Sequence, residues 1–168
     1  MEFSIKEVTD RKSEIAEGIL RLLPDWFGIE SGILEYCCNV NQLTLFAAVT
    51  QTGVVIGFLS LKEHNEFTGE IYVMGVMPEY HRHGIGKALV EYSAEYCRNR
   101  GLEFLQVKTL GSSHSDSFFE RTRKFYLKVG FRPLEEFTML GSLGSARGSI
   151  SNPPLIISSC GSACAADL

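Results

Sequence analysis

A mixed α/β fold (α+β) is predicted for this chain, with a central mixed, mostly antiparallel sheet flanked by helices on both faces. Three observations point there. Short apolar runs bounded by turn residues dominate the stretch up to Val76, apart from two early helical segments. Helical periodicity then appears after Gly84 and again after Ser117. Between those two helices lies another apolar strand, so strand, helix and strand alternate as a crossover requires. The order read along the chain is β-α-α-β-β-β-α-β-α-β, with an antiparallel meander in the first half, a crossover in the second, and no internal repeat.

Each element has a local reason. Phe3 to Val8 alternates as an edge-type strand does. Thr9 and Asp10 offer an N-cap to a helix through Ile15, Ile19, Leu20, Leu22 and Leu23, which Pro24 stops. The loop from Pro24 to Glu30 holds the only tryptophan, Trp26, and a short helix is expected from Ser31 to Cys38. Strands Leu43 to Thr50 and Val54 to Leu61 are joined by Gln51-Thr52-Gly53, a hairpin signal. After a turn near His64-Asn65-Glu66, Gly69 to Val76 reads as a mostly buried strand. The next helix carries Ile85, Ala88, Leu89, Tyr92 and Tyr96 on one face and ends at Gly101. Phe104 to Leu110 is a strand. A polar loop, Gly111 to Asp116, leads to a helix from Ser117 to Lys128, where Ser117 and Glu120 have capping-box spacing. Gly130 ends that helix, and Phe131 to Leu140 is the next strand.

Composition bounds the function. A chain of 168 residues with 45% apolar and 21% charged side chains builds a core without metal or disulfide staples. A net charge of −4 argues against a nucleic-acid binder, and no apolar run is long enough to span a bilayer. The N-terminus shows no signal-peptide pattern. Cys37, Cys38, Cys97, Cys160 and Cys164 fit neither a disulfide framework nor a zinc pair, so a reducing cytoplasm is expected and no metal. Cys97 reads as a small core residue. The segment from Gly141 to Leu168 is crowded with Gly, Ser and Ala, and reads as linker or tail. It is either one last strand, at Pro154 to Ser158, or a disordered or artefactual tail.

Positive charge concentrates at one place. Val76 runs through Met77, Pro78, Glu79 and Tyr80 into His81-Arg82-His83-Gly84-Ile85-Gly86-Lys87, which opens a helix. Such a junction gathers free backbone N–H groups, the positive helix end and cationic side chains, and suits a phosphorylated ligand. It is no dinucleotide fingerprint, which needs GxGxxG after the first strand, and no Walker loop, which needs GK[ST]. The plainer reading of two glycines is an ordinary tight turn with a solvated basic rim. Against it stand the position of both glycines in the helix's first turn, the cations around them, and the buried strand just before.

Pro78 to Leu89 resembles the acetyl-CoA pyrophosphate loop of GNAT-superfamily N-acetyltransferases, usually [QR]-x-x-G-x-[GA]. Thr122 to Phe131 resembles the family's second signature, a helix ending in FYxxxGF. The resemblance runs from about Glu2 to Leu140, which implies a GNAT domain over 1–140 and a separate segment over 141–168. Three departures stand out: His81 replaces Gln or Arg, Phe119 stands where many members have Asn, and the Gly/Ser tail replaces the expected final charged strand.

Acetyl transfer from a thioester to an amine must anchor the co-substrate, deprotonate the amine, stabilise the oxyanion and release the thiolate. The resemblance places the acetyl-CoA pyrophosphate on His81, Arg82, His83, Gly84, Ile85, Gly86 and Lys87. It places the pantetheine arm along Met74, Gly75 and Val76, where an N–H would polarise the carbonyl and Gly75 would permit close approach. Tyr126 resembles the general acid that protonates the leaving thiolate; the plainer reading is an interfacial core tyrosine. Glu70 resembles the base glutamate, acting directly or through water, against the plainer reading of a solvated strand-end carboxylate. His64 and His114 are alternatives that also read as surface histidines. Trp26, Phe27 and Glu30 lie in the loop that in this family lines the acceptor side, aromatics with a carboxylate suiting a cationic amine; Trp26 also reads as a core anchor. The expected activity is an acetyl-CoA-dependent N-acetyltransferase acting on a small-molecule amine. Alternatives are a protein N-terminal or lysine acetyltransferase and a non-catalytic acyl-CoA sensor. A homodimer is left open, and neither nucleic acid nor membrane is expected as a partner.

Overall fold

The computed structural model describes residues 2–110, 117–136 and 154–160; side chains are described for all of these except 110, 135, 136 and 154–160. Strands are β1 (Phe3–Val8), β2 (Thr44–Thr50), β3 (Val55–Glu63), β4 (Thr68–Val76), β5 (Phe104–Leu110), β6 (Arg132–Glu136) and β7 (Pro154–Cys160). Helices are α1 (Lys12–Leu20), α2 (Glu30–Val40), α3 (Ile85–Asn99) and α4 (Ser117–Lys128), with a 3-10 turn at Pro78–Tyr80. One seven-stranded sheet has the order β1-β2-β3-β4-β5-β7-β6. Only the β4–β5 pair is parallel, and α3 makes the crossover between them. The mixed, mostly antiparallel sheet expected from the sequence is therefore present.

Two cores lie on opposite faces. Ile19, Leu20, Ile33, Cys37 and Val40 of α1 and α2 pack with Leu45, Ala47, Phe58 and Val73 on one face. Ile85, Leu89, Val90 and Cys97 of α3 and Tyr126 of α4 pack with Phe46, Ile56, Leu59, Ile71 and Val107 on the other. Burial pushes the Cys97 thiol up to about 11, which suits an inert core residue. Among the described residues no helix is long and apolar enough to cross a membrane.

Element starts differ from the sequence reading in places. Thr9 and Asp10 do not cap α1. Arg11 precedes it in a left-handed conformation (φ 53°) with no side-chain cap. Helix α2 runs from Glu30 to Val40, longer than expected at both ends. In α4 the reason for the FYxxxGF spacing is visible: Gly130 takes φ 101°, Phe131 N–H donates to the Tyr126 carbonyl at 3.0 Å, and Phe131 packs its ring 5.4 Å from that of Tyr126. The expected strand to Leu140 is described only as far as Glu136, and the boundary placed at residue 140 lies outside the described residues. Pro154–Cys160 is a strand, hydrogen-bonded between β5 and β6.

Gly75 is required by packing. A Cβ there would meet Ile19 Cγ2 at 3.0 Å and Leu23 Cδ1 at 3.1 Å, so the missing side chain makes room for α1. Gly75→Ala is therefore expected to overpack this face by roughly 1–3 kcal/mol. Thermal denaturation should show a fall of about 2–10 °C in Tm for a domain of this size.

Candidate active site

The sheet is split at its centre. β4 and β5 pair from Thr68↔Phe104 to Ile71↔Val107 and no farther, while β5 continues to pair with β7 as far as Leu110. The split begins beside a β-bulge: Ser60 opposes Val73 and Leu61 opposes Ile71, leaving Tyr72 as the extra residue of β4. A bulge adds local twist and turns a strand away from its neighbour. From Tyr72 to Val76 the edge of β4 toward β5 is unpaired, and an extended ligand bearing amides could pair with it as an added strand does. The cleft so formed reaches both faces of the sheet. Leu23, Trp26, Phe27, Tyr36 and Tyr72 line it on the α1–α2 side, and Ile85, Gly86, Phe125 and Tyr126 on the α3–α4 side.

One end of the cleft meets the start of α3. Among the described residues, no backbone N–H from Arg82 through Lys87 donates a hydrogen bond; the first bond of the helix runs from Ala88 N–H to the Gly84 carbonyl. Two residues of the turn have positive φ, Arg82 at 64° and Gly84 at 80°. Successive unpaired N–H groups on such a turn form an anion-binding concavity, reinforced by the helix dipole. Met74, Gly75, Val76, His81, Arg82, Gly84, Ile85, Gly86 and Lys87 all line the cleft, so most of the expected co-substrate residues share one surface. These groups fit a diphosphate with an amide-bearing arm.

The side chains of the turn have other tasks. His81 Nε2–H donates to the Val76 carbonyl at 2.7 Å, which ties the turn to the end of β4. His83 Nδ1–H donates to the His81 carbonyl at 2.9 Å, and Lys87 lies 3.6 Å from Glu91. Gly86 faces α4, where a Cβ would stand 3.3 Å from the Phe125 ring. The two glycines thus serve different ends, Gly84 the turn and Gly86 the close approach of α4.

Tyr126 is only 4% exposed yet lines the cleft, and burial pushes its phenol well above the ordinary value. Glu70 is 5% exposed and lies at the last paired rungs, opposite Gln106. Its Oε2 accepts from Lys108 Nζ at 2.8 Å and Gln106 Nε2 at 3.1 Å, and lies 2.5 Å from His64 Nε2. Burial pushes this carboxyl up. The hydrogen bonds from Lys108 and His64, with the Lys108 charge, outweigh that and hold it below its ordinary value. Glu70 is not among the residues lining the cleft, whereas its partner Lys108 is. A carboxylate so held is a poor direct proton acceptor, and the plain expectation of a solvated strand-end group fails too.

Trp26 and Phe27 part company. Trp26 reaches across to α4: its Nε1–H donates to Thr122 Oγ1 at 3.1 Å, its ring meets Phe118 edge-on at 5.1 Å, and Arg121 lies 5.4 Å from the ring centroid. Phe27 stacks edge-on with Tyr36 at 5.8 Å, and Tyr36 with Tyr72 at 5.5 Å, forming an aromatic wall. Glu30 stands apart from these rings. Its carboxylate is forked by Arg21 at 2.7 and 2.9 Å on the exposed start of α2, and Glu30 is not among the cleft-lining residues. His114 lies outside the described residues. Sequence reasoning missed Tyr36, Tyr72, Gln106, Lys108 and Thr109. Gln106 and Lys108 had a signal, polar side chains at alternate positions of an apolar strand; Gln106 lies directly across from Glu70 and Lys108 reaches it diagonally.

A split sheet that opens onto bare N–H groups at a helix start offers a place for an extended ligand with an anionic end. The chain belongs to the acetyltransferase (GNAT) family, whose pattern it matches over residues 14–131. It is similar to a mycothiol acetyltransferase of Beutenbergia cavernae, 30% identical over 53% of this chain and 28% of that protein. The chain spans about a third of the length of the curated relatives it matches. Its fold is similar to that of the ribosomal-protein-S18-alanine N-acetyltransferase of Escherichia coli (TM-score 0.71, 17% identity, 99% of both chains). It is also similar to that of an aminoglycoside 6'-N-acetyltransferase complexed with coenzyme A (TM-score 0.68, 18% identity, 94% of this chain and 97% of that one).

Proposed function

We propose that this chain is an acetyl-CoA-dependent N-acetyltransferase that delivers the acetyl group to a primary amine of a small molecule by direct attack in a ternary complex. The observation that carries the reading is the β4–β5 split ending at the unpaired N–H groups of Arg82 through Lys87. Those groups bind the diphosphate, and the free edge of β4 pairs with the amides of the arm. The co-substrate supplies an activated acetyl thioester. Tyr126 gives its phenolic proton to the sulfur as the C–S bond breaks and the acceptor nitrogen forms the C–N bond. Glu70 takes the amine proton through water, using Oε1, which has no hydrogen-bond partner among the described residues. Solvent returns a proton to Tyr126.

Two features support a compact acceptor. The aromatic wall of Phe27, Tyr36 and Tyr72 lines the cleft and suits a cationic amine. The tether from Trp26 to Thr122 crosses from the α1–α2 loop to α4, which favours a compact acceptor on that side over an extended polypeptide. Titration calorimetry with coenzyme A should give saturable heat, and acetyl-CoA consumption should appear with members of a small-amine panel and not with peptides. Turnover confined to peptides would replace the small-molecule reading with a protein acetyltransferase. Binding without turnover on any acceptor would leave a sensor, and no heat at millimolar ligand would sink the whole assignment.

A further inference from the structure

Thr109 carries a feature the reading above does not use. It is 8% exposed and lines the cleft, and its Oγ1 is buried with no hydrogen-bond partner among the described residues. Its neighbours on the same face of β5, Leu105 and Val107, are core residues, so an apolar side chain would be expected at this place. A buried hydroxyl with no partner costs stability and is rare in native proteins. It stands beyond Ile71↔Val107, the last rung joining β4 to β5, in the wall facing the free edge of β4.

We infer that Thr109 is a positioning residue for the acyl-thioester arm, its hydroxyl making a hydrogen bond to an amide or carbonyl of the arm that no other side chain of this wall supplies. This rests on the proposed binding of acetyl-CoA in the split. In that arrangement β4 holds the arm by backbone along one side, and Thr109 holds it by a side chain from the other. Two lines of contact fix the arm's rotation about its long axis, which a single strand edge does not. The thioester is thereby aimed toward the acceptor side.

The test compares Thr109→Val, which keeps the shape and removes the hydroxyl, with Thr109→Ser, which keeps the hydroxyl. Calorimetry is run on the full chain with coenzyme A and with adenosine 3',5'-bisphosphate, a fragment that lacks the arm. Thr109→Val should weaken coenzyme A about 3–10-fold, the range of a neutral hydrogen bond. It should leave the fragment within about twofold, and it should raise the Tm of the ligand-free protein by about 2–4 °C, because an unsatisfied buried group is removed. Thr109→Ser should stay within about twofold of the parent for both ligands. Loss of affinity for ligand and fragment alike would mean that Thr109 acts through the fold, and would overturn the inference. So would an unchanged coenzyme A affinity in Thr109→Val, or an equal loss in Thr109→Ser. Parent protein that binds the fragment and coenzyme A keeps the acetyl-CoA reading intact whatever the variants do; parent protein that binds neither overturns both.

Discussion

Replacing Tyr126 by Phe should lower kcat by about 10²–10³-fold while leaving the affinity for coenzyme A within about twofold. The substitution removes one oxygen from a buried ring and keeps its packing against Phe125 and Phe131. Steady-state rates with acetyl-CoA and calorimetry with coenzyme A separate the two effects. Burial raises the phenol's pKa, so the proton stays in place through the neutral and mildly alkaline range. No fall in kcat from loss of this proton should appear below about pH 10. A variant that keeps the parent rate would return Tyr126 to the role of core tyrosine.

Glu70→Gln carries the second large effect, and it should appear in both rate and stability. The parent carboxylate joins Lys108, Gln106 and His64 on a single oxygen. A neutral amide leaves Lys108 without its counter-charge. Because the Lys108 side chain is 44% exposed, the penalty is well short of a fully buried pair, roughly 1–2 kcal/mol. That predicts a Tm lower by about 2–8 °C at pH 7. The folded pKa of Glu70 lies below its ordinary value of 4.5, so the ionised carboxylate's contribution is complete above that value and is lost as pH falls through the lower folded one. Denaturation midpoints of parent and variant should therefore converge as pH falls below 4.5. In the rate, kcat/KM should fall about 10–100-fold. The parent's own profile between pH 5 and 8 should follow the acceptor amine, since Glu70 is ionised throughout. An acid limb near pH 6 that vanishes in the variant would instead make Glu70 a direct base.

The legible part of this protein was the part written in local chemistry. The strand from Phe3 to Val8, the Gly53 hairpin, the glycine turn before α3 and the Gly130 stop after Tyr126 each depend on a few neighbouring residues, and each lies where the sequence put it. What depends on distant segments was not legible. Nothing near Tyr72 announces a bulge, because the bulge is a property of how β4 registers against β3. That Gly75 must also leave room for Ile19 of α1, more than fifty positions earlier, shows only in the fold. The pairing of Glu30 with Arg21, nine positions earlier, likewise shows only in the fold. The roles of Glu70 and Lys108 could be paired only once β4 and β5 were known to lie side by side with Glu70 against Gln106.

The position of β7 has a consequence for how the molecule is assembled. Because β7 lies between β5 and β6, the latter two strands never touch as sheet neighbours, although β6 is made first. While the chain emerges from the ribosome, β6 has no ladder to join until Pro154–Cys160 has been synthesised and has entered from the far end. Until then β5, which forms one wall of the cleft, is a bare sheet edge open to another chain. The cleft thus acquires its outer support last, from the stretch of sequence that looks least like a folded protein.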